Sequence, residues 1–481
     1  MSGKRASSSA GLLFGLVLAV ALAARIWYLC ICAGNGQHDG PVQVQDRWPI
    51  LTGLPAGTEM NGHAPPTELD ALVENIKQYR WFGSLAPLSN TEEATAHVSP
   101  GYPWLLGMLQ RWHMDSGSPD RTVRWIQCVL GALTAGCYFL FSLRALASKL
   151  VATLAGLFCA LHPFWIISTA EISDGVIASF LLGACLALAA RGSQAGAPFS
   201  SLLYGLGLAG LALVRAALFP FAVVAMLWFL LRCRWSARGW LCALLAFLGF
   251  ANGLACWEFR NYRMFHDFVP VVDSVYLNLW IGNNPQATGG PQTEQMVIDT
   301  LAEARGEDPK QTGEELAKLG QKERYDQLGR LVWKQIRSDP AGTVKHRFEA
   351  LLSFILGEAW LRERVLWRNG QTESARFPDW LEACYPAILC GALLAMLLLG
   401  FLGWRWSFAW QAELMPSSLA LVWIPLPYLL GHAESLSGPR LPLDGILLTY
   451  TALTLACLFV PAWHRVIGDS ESGEGSLEKS R

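Results

Sequence analysis

The chain is predicted to be an all-α integral membrane protein with about ten transmembrane helices and two long extracytoplasmic loops. Three observations predict this. About ten apolar segments recur along the 481 residues. Charged residues are 16% and hydrophobic residues 52% of the chain, where a soluble domain carries about 25% charged residues. Two polar stretches, near residues 34–120 and 258–382, interrupt the apolar series. If the short charged loops face the cytoplasm, both stretches fall on the opposite side, so the working surface is expected outside.

The first segment, residues 11–32, follows Lys4 and Arg5. It lacks a good small-residue cleavage site, and Arg25 is followed by the apolar run IWYLCIC. It therefore reads as a retained first span, N-terminus inside, rather than a signal peptide. Further candidates lie at about 123–143, 150–170, 175–190, 201–214, 216–231, 239–257, 384–404, 414–431 and 441–461. Several are shorter than the ~20 residues a span needs. Residues 201–231 could be one long helix or two short ones hinged at Arg215. Two crossings place Arg144, Lys149, Arg191, Arg232, Arg234, Arg238, Arg405, Arg465 and Lys479 all inside, as the positive-inside rule asks. The chain then divides into an N-terminal transmembrane module, 1–257, containing the first outer loop; a loop domain, 258–382; C-terminal helices, 383–462; and a Ser-, Gly- and Glu-rich cytoplasmic tail, 463–481, of disordered composition. No internal repeat is evident.

In loop one, ELDALVENIKQY places Leu69, Leu72, Val73 and Ile76 on one helical face. PGYPWLLGMLQRW is apolar and aromatic but too short to cross, and reads as a helix lying at the interface. Loop two has the length of a small domain, with charged helix-period sequence after IGNNP. The 21 Trp suit a protein with much interfacial surface. A formal net charge of −1 supplies no electrostatic case for nucleic acid. The 12 Cys include no CxxC pair, so neither a zinc site nor a disulfide framework is signalled. There is no Walker motif and no strand-borne GxGxxG, which argues against an intracellular nucleotide-sugar donor. The lack of an Asn-x-Ser/Thr sequon favours a prokaryotic envelope, and the plasma (inner) membrane is the expected location.

The sharpest local signal is LHPFWIISTAEISDGVIASF, which sets Glu171 and Asp174 at an outer mouth between two spans. Carboxylates beside hydrocarbon are functional candidates by default. Asp174 reads equally as a cap for the next helix. Loop one adds Asp46, Glu68, Asp70, Glu74, Glu92 and Glu93, each of which reads also as a solvated charge. One carboxylate could take a proton from an attacking hydroxyl, and another could hold a metal or a sugar hydroxyl. Arg215 at the hinge and Arg440 before the last span add guanidiniums that fork onto phosphate. Snorkelling to headgroups is the other reading of Arg440. His97 and His162 are candidate ligands or satisfied structural histidines.

Taken in order, SPGYPWLLGMLQRW with RTVRWIQCVLGAL, GLFCALHPFWIISTAEISDGVIASFLLGACLAL, GLGLAGLALVRAALFPFAVVAMLW, RNYRMFHDFVPVVDSVYLNLWIGNNPQATGG and GPRLPLDGILLTYTAL span most of the chain. Together they resemble the GT-C membrane glycosyltransferases, specifically the bacterial relatives of protein O-mannosyltransferases and aminoarabinose transferases. The resemblance implies a polyprenyl-phosphate sugar donor used on the outer face, a first-loop acid as base, and an inverting transfer to an acceptor hydroxyl. It places Glu171 at the acidic position after the third span, Arg440 at the basic position before the final span, and Asn283 and Asn284 in the IGNNP turn. The family's Asp-x-x-x-Tyr after span one is not present, and Glu68 and Asp70 lie nearest to that helix. On this reading Glu68 or Asp70 is the base and Arg440 and Arg215 hold the phosphate. Glu171 and Asp174 orient the sugar or bind a divalent ion, while His97 and Asn284 contribute to substrate binding. The metal is unassigned because no ligand pair has diagnostic spacing. The partners are a lipid-linked donor, the membrane and an acceptor that is protein, lipid or glycan; nucleic acid is not among them. The rival readings are a polytopic transporter or flippase, which needs polar residues lining a path through the spans, and a non-catalytic envelope assembly protein.

Overall fold

The computed structural model describes residues 2–32, 68–79, 82–85, 92–112, 119–170, 172–195, 197–233, 236–290, 292, 294–356, 379–407, 413–433 and 439–459. Helix α1 spans Ser2–Trp27 and continues as a π-helical turn, Tyr28–Cys32. Loop one contributes α2 (Glu68–Tyr79), a short hairpin of β1 (Gly83–Leu85) and β2 (Glu92–Ala94), and α3 (Gly101–Trp112). The strands pair antiparallel, Gly83 opposite Ala94, an element the all-α expectation did not contain. Leu72, Val73 and Ile76 of α2 are buried, as their spacing predicts. Gly107 of α3 is where Ile76 seats, since a Cβ there would collide with its side chain.

The apolar helices follow: α4 (Pro119–Ala145), α5 (Lys149–Leu161), α6 (Pro163–Ser168), α7 (Gly175–Ala195), α8 (Pro198–Val214), α9 (Phe219–Arg232) and α10 (Ala237–Phe265). The segment 150–170, expected as one span, is broken. His162 is extended (φ −63, ψ 117), because the residue before Pro163 is pushed out of the helical region. The hinge at Arg215 is also real: Arg215 is extended (φ −144, ψ 104), and a 3-10 turn, Ala216–Leu218, leads into α9. Helix α10 runs two turns beyond the expected boundary at 257 and stops at His266, whose φ of 53 is a left-handed cap. Its last turns support the start of loop two: the Trp257 indole donates to Val271 O (2.7 Å) and Asn261 to Val269 O (2.8 Å). Helices α8 and α10 pack closely through Gly205, where a Cβ would strike the Ala246 carbonyl, the small-residue contact common between membrane helices.

Loop two folds into α11 (Val275–Asn283), α12 (Glu294–Arg305), α13 (Pro309–Lys318), α14 (Gln321–Ser338) and α15 (Pro340–Leu356). It has a core of its own, which includes Leu277, Trp280, Leu301, Leu316 and Leu328. The chain returns through α16 (Asp379–Trp406), α17 (Met415–Trp423), α18 (Pro425–Leu430) and α19 (Leu441–Phe459). The segment 414–431 is thus also divided, at Pro425, which has no N–H to continue the helix. Helix α19 is the centre of the bundle, packed against α5, α7 and α16.

Each of the ten expected apolar segments corresponds to a helix or a broken helix. Among the described residues four helices are long and apolar enough to cross a membrane by length and composition: Ser9–Cys30, Arg121–Ala145, Ala237–Phe265 and Leu441–Phe459. The bundle's outer surface is apolar. Leu12 and Leu16 on α1, Trp240 and Phe247 on α10, and Leu398 and Phe401 on α16 are exposed, a belt that suits lipid rather than water.

Candidate functional site

The hinge residue Arg215 is positioned by what interrupts its helix. Because Arg215 leaves the helical conformation, the next amide, Ala216 N–H, is free to donate to Ser99 Oγ (2.7 Å). The side chain turns inward and forks onto Asp174: Nε donates to Oδ2 (2.9 Å) and Nη2 to Oδ1. Asp174 stands at the N-terminus of α7, where its carbonyl accepts from Ala178 N–H (2.9 Å). That is the capping place, but both carboxylate oxygens are given to Arg215. The pair is held away from water, with Arg215 buried and the Asp174 side chain 23% exposed. The Tyr428 hydroxyl also bonds to Arg215, and its ring packs on Phe354. Gly175 lets the start of α19 approach. A Cβ there would lie 3.2 Å from Leu441 Cδ1 and 3.7 Å from Arg215 Nη2.

One residue before Leu441 is another buried arginine. Arg440 pairs with Asp444 one turn along α19, at 1% and 0% exposure. His162, at the break between α5 and α6, sets Nε2 3.6 Å from Asp444 Oδ2. The Phe164 ring lies under the Arg440 guanidinium at 5.7 Å. The Trp165 indole donates to Leu441 O (3.0 Å) and the Tyr138 hydroxyl to Pro442 O (3.1 Å). Gly445 makes room for both rings. Arg440 is therefore turned into the protein, where a snorkelling arginine would reach for headgroups.

Residues 95–99 connect these pairs to loop two. The His97 carbonyl accepts from Ser274 Oγ (2.9 Å), and its Nδ1 is 2.8 Å from the Tyr325 hydroxyl. Asp273 N–H donates to Ala96 O (3.1 Å). Gln321 donates to Thr95 Oγ1 (3.2 Å) and Asp273 Oδ1 (3.3 Å). The buried Asp273 Oδ2 has no hydrogen-bond partner among the described residues. Burial pushes the Asp273 carboxyl up from 3.8 to about 6, against the opposing pull of His97, Arg260 and Arg324.

This shift has a consequence for stability. Between 3.8 and about 6 the folded protein keeps a proton on Asp273 that the unfolded chain has released. The folded state then binds more protons, so this group's contribution falls as pH rises through that window. Asp273→Asn is expected to lack the decline and to melt above the wild type, with the gap growing from pH ~4 to ~6 and constant beyond pH ~7. Thermal melts of the detergent-purified protein across pH check this. Parallel wild-type and variant profiles would remove Asp273 as the source.

Of the other sequence candidates, Glu171 lies outside the described residues. Glu68 and Asp70 are in the first turn of α2, but their side chains lie outside the description. Asp46 does too, as do the side chains of Glu92 and Glu93. Asn284 is buried and engaged within its own turn: Nδ2 donates to Gln292 Oε1 (2.6 Å) and Trp280 O (3.0 Å), and Oδ1 accepts from Gln286 N–H (3.0 Å). Asn283 ties α11 to Leu430 O (3.1 Å). Among the described residues no three His, Cys, Asp or Glu gather to hold a metal ion. Asp444, Tyr428 and Asp273 were not singled out in the sequence. The Arg440-x-x-x-Asp444 spacing could have revealed the first, whereas no local signal marks the other two.

No protein-family model matches the chain, and no curated protein matches it in sequence. Among solved structures it is similar to the oligosaccharyltransferase of Archaeoglobus fulgidus in the apo form, with a TM-score of 0.51 and 13% identity over 95% of this chain and 52% of that one. It also aligns with the oligosaccharyltransferase AglB of the same organism, in complex with an inhibitory peptide and a dolichol-phosphate (TM-score 0.48, 14% identity, 95% of this chain and 52% of that one). A third match is ArnT from Cupriavidus metallidurans bound to undecaprenyl phosphate (TM-score 0.29, 14% identity, 81% of this chain and 72% of that one). The chain spans about half the length of the archaeal protein. The first likeness shows the fold alone: the chain has the fold of that oligosaccharyltransferase over the part the two share.

Proposed function

We propose that the chain is a membrane glycosyltransferase that moves a sugar from a polyprenyl-phosphate donor to an acceptor hydroxyl on the extracytoplasmic face, with ten spans and both termini cytoplasmic. The observation that carries this reading is the placement of two arginine–aspartate pairs, Arg215–Asp174 and Arg440–Asp444, beside the contact of Gly175 with Leu441. They lie at the ends of α7, α8 and α19, in a fold similar to that of an oligosaccharyltransferase. Charge at the ends of apolar helices suits a substrate whose charged group sits at headgroup level and whose tail stays in lipid. No observation favours the transporter reading. Asp174, Arg215, Arg440 and Asp444 lie at helix breaks and ends rather than along a path through the bundle.

In the proposed reaction Arg440 and Arg215 hold the lipid phosphate. Glu68 or Asp70 takes the proton of the acceptor hydroxyl. The oxygen forms a bond to the anomeric carbon from the face opposite the leaving group, and the carbon–oxygen bond to phosphate breaks. Its electron pair remains on the phosphate, where the guanidiniums stabilise the growing charge. Glu171 and Asp174 orient the sugar, and His97 and Asn284 shape the loops around it. The described residues do not fit a divalent ion, since Asp174 is already forked by Arg215 and no other ligands join it. No step is routed through a metal.

The test is incubation of the purified protein with a panel of polyprenyl-phosphate monosaccharides, reading released polyprenyl phosphate and glycosylated acceptor. At least one donor is expected to turn over, and Glu171→Gln is expected to insert normally while transferring about a hundredfold more slowly. Wild-type transfer by that variant would remove Glu171 from the site.

A further inference from the structure

Helix α15 is held to the protein along one face. Arg347 donates to the carbonyls of Gly282, Leu429 and Gly431, and Ser353 Oγ to Ala433 O (3.2 Å). Ala350 is buried against Gly289, where a Cβ would collide with its amide. Phe354 belongs to the core of the main bundle, and its ring packs on Tyr428 at 5.4 Å. Because Tyr428 also bonds to Arg215, the end of α15 is level with the hinge between α8 and α9. The opposite face of α15 carries Val344, Phe348 and Leu352, at 69%, 60% and 42% exposure. A spacing of four residues sets them in one row.

Three observations say what covers this row. The first is continuity with the apolar surface of the bundle. Helix α18, on which α15 packs, exposes Leu426 and Leu430, and α17 exposes Val422. The second is contrast within loop two. Helices α12 and α13 expose Glu303, Lys310 and Glu314, so the unit has a charged side for water and an apolar side on α15. The third is charge. Lys345 flanks the row with its side chain 72% exposed, and Glu349 is already engaged by Lys345 and His346. Helix α14, joined to α15 through Asp339 alone, exposes Trp333 among Arg330, Lys334 and Arg337. Indole rings and basic side chains collect at headgroup level. An apolar row with a basic flank is the pattern of a helix that lies in the interface plane.

We propose that α15 is an interfacial anchor that seats loop two on the bilayer around the bundle. The row of Val344, Phe348 and Leu352 enters the boundary between headgroups and acyl chains, and Lys345 reaches the lipid phosphates. Arg347 lies on the same helix and holds α11, so the bilayer surface sets the height of the outer unit. The anchor does not depend on sugar transfer.

The experiment uses the full-length protein in vesicles of phosphatidylethanolamine and phosphatidylglycerol. A nitroxide is carried on a keto amino acid placed at position 348, which leaves the native cysteines unlabelled. Its collisions with oxygen, which partitions into lipid, and with a water-soluble nickel chelate are measured by paramagnetic resonance. Labels at Leu398 on α16 and at Glu314 on α13 give the lipid and water references. The label at 348 is expected to follow Leu398, meeting oxygen and not nickel, at a depth of about 5–10 Å. A label at Val344 reads the same row independently, should the protein labelled at 348 not fold. Nickel access at these positions equal to that at Glu314 overturns the inference. Low collision rates with both reagents overturn it as well, since protein, such as a second copy of the chain, would then cover the row.

Discussion

Arg440→Ala is expected to lower the stability of the protein by about 3–5 kcal/mol, the range for removing one partner of a buried ion pair. The loss comes from what remains. Asp444 is fully buried, and without its arginine its charge loses its counter-ion, with His162 Nε2 lying 3.6 Å from Oδ2. The change also removes the packing of the guanidinium on Phe164. Replacing both partners with apolar residues, Arg440→Met with Asp444→Leu, is expected to restore most of the stability, because no charge is then stranded. Denaturant or thermal unfolding in detergent micelles reads both. The double variant is expected to fold yet bind the polyprenyl-phosphate donor poorly, which separates the structural role from the ligand role. An Arg440→Ala protein that melts with the wild type would mean that the side chain reaches headgroups in solution.

The second large effect is on rate. Arg215→Ala is expected to slow sugar transfer by about 10²–10³, the usual result of removing one preorganised donor from a developing negative charge. Arg215→Lys is expected to recover little, because the two-point fork onto Asp174 cannot be made by an ammonium. Asp174 and Arg215 act together, so adding Asp174→Asn to Arg215→Ala is expected to slow transfer little further. Initial rates of product formation at saturating donor measure all of these. A fully additive double variant would show that the residues work independently, and an unimpaired Arg215→Ala would take the pair out of the reaction.

The helices were readable because apolar composition and a 3.6-residue period act within a segment. The buried face of α2 follows directly from Leu72, Val73 and Ile76. Lengths were read less well than positions. His162-Pro163 and Ile424-Pro425 both break what reads by hydropathy as one span, and in each case proline outweighs the apolar run around it. The site was legible as a set of residue types at the ends of spans, but its pairing was not. Asp174 and Arg215 are 41 residues apart in sequence, and nothing local says that one carboxylate will receive both arms of one guanidinium. Arg440 and Asp444 are one turn apart, so their pairing was available from spacing alone. Asp273 carries no local mark. Its burial arises where loop one lies on the start of α11, a contact between segments distant in sequence. Arg25 was visible as a charge within an apolar run, yet its burial among α1, α4 and α5 is a tertiary fact.

Arg347 on α15 donates to the carbonyls of Gly282, Leu429 and Gly431. Gly282 itself abuts Gly431, leaving no space there for a side chain. One guanidinium therefore rivets the C-terminal turn of α11 to the end of α18. Tyr428 is in α18, against Arg215. A tilt of α11 is then expected to reach the Tyr428 phenol through this joint, with Arg347 acting as a lever arm on the inward-turned Arg215–Asp174 pair.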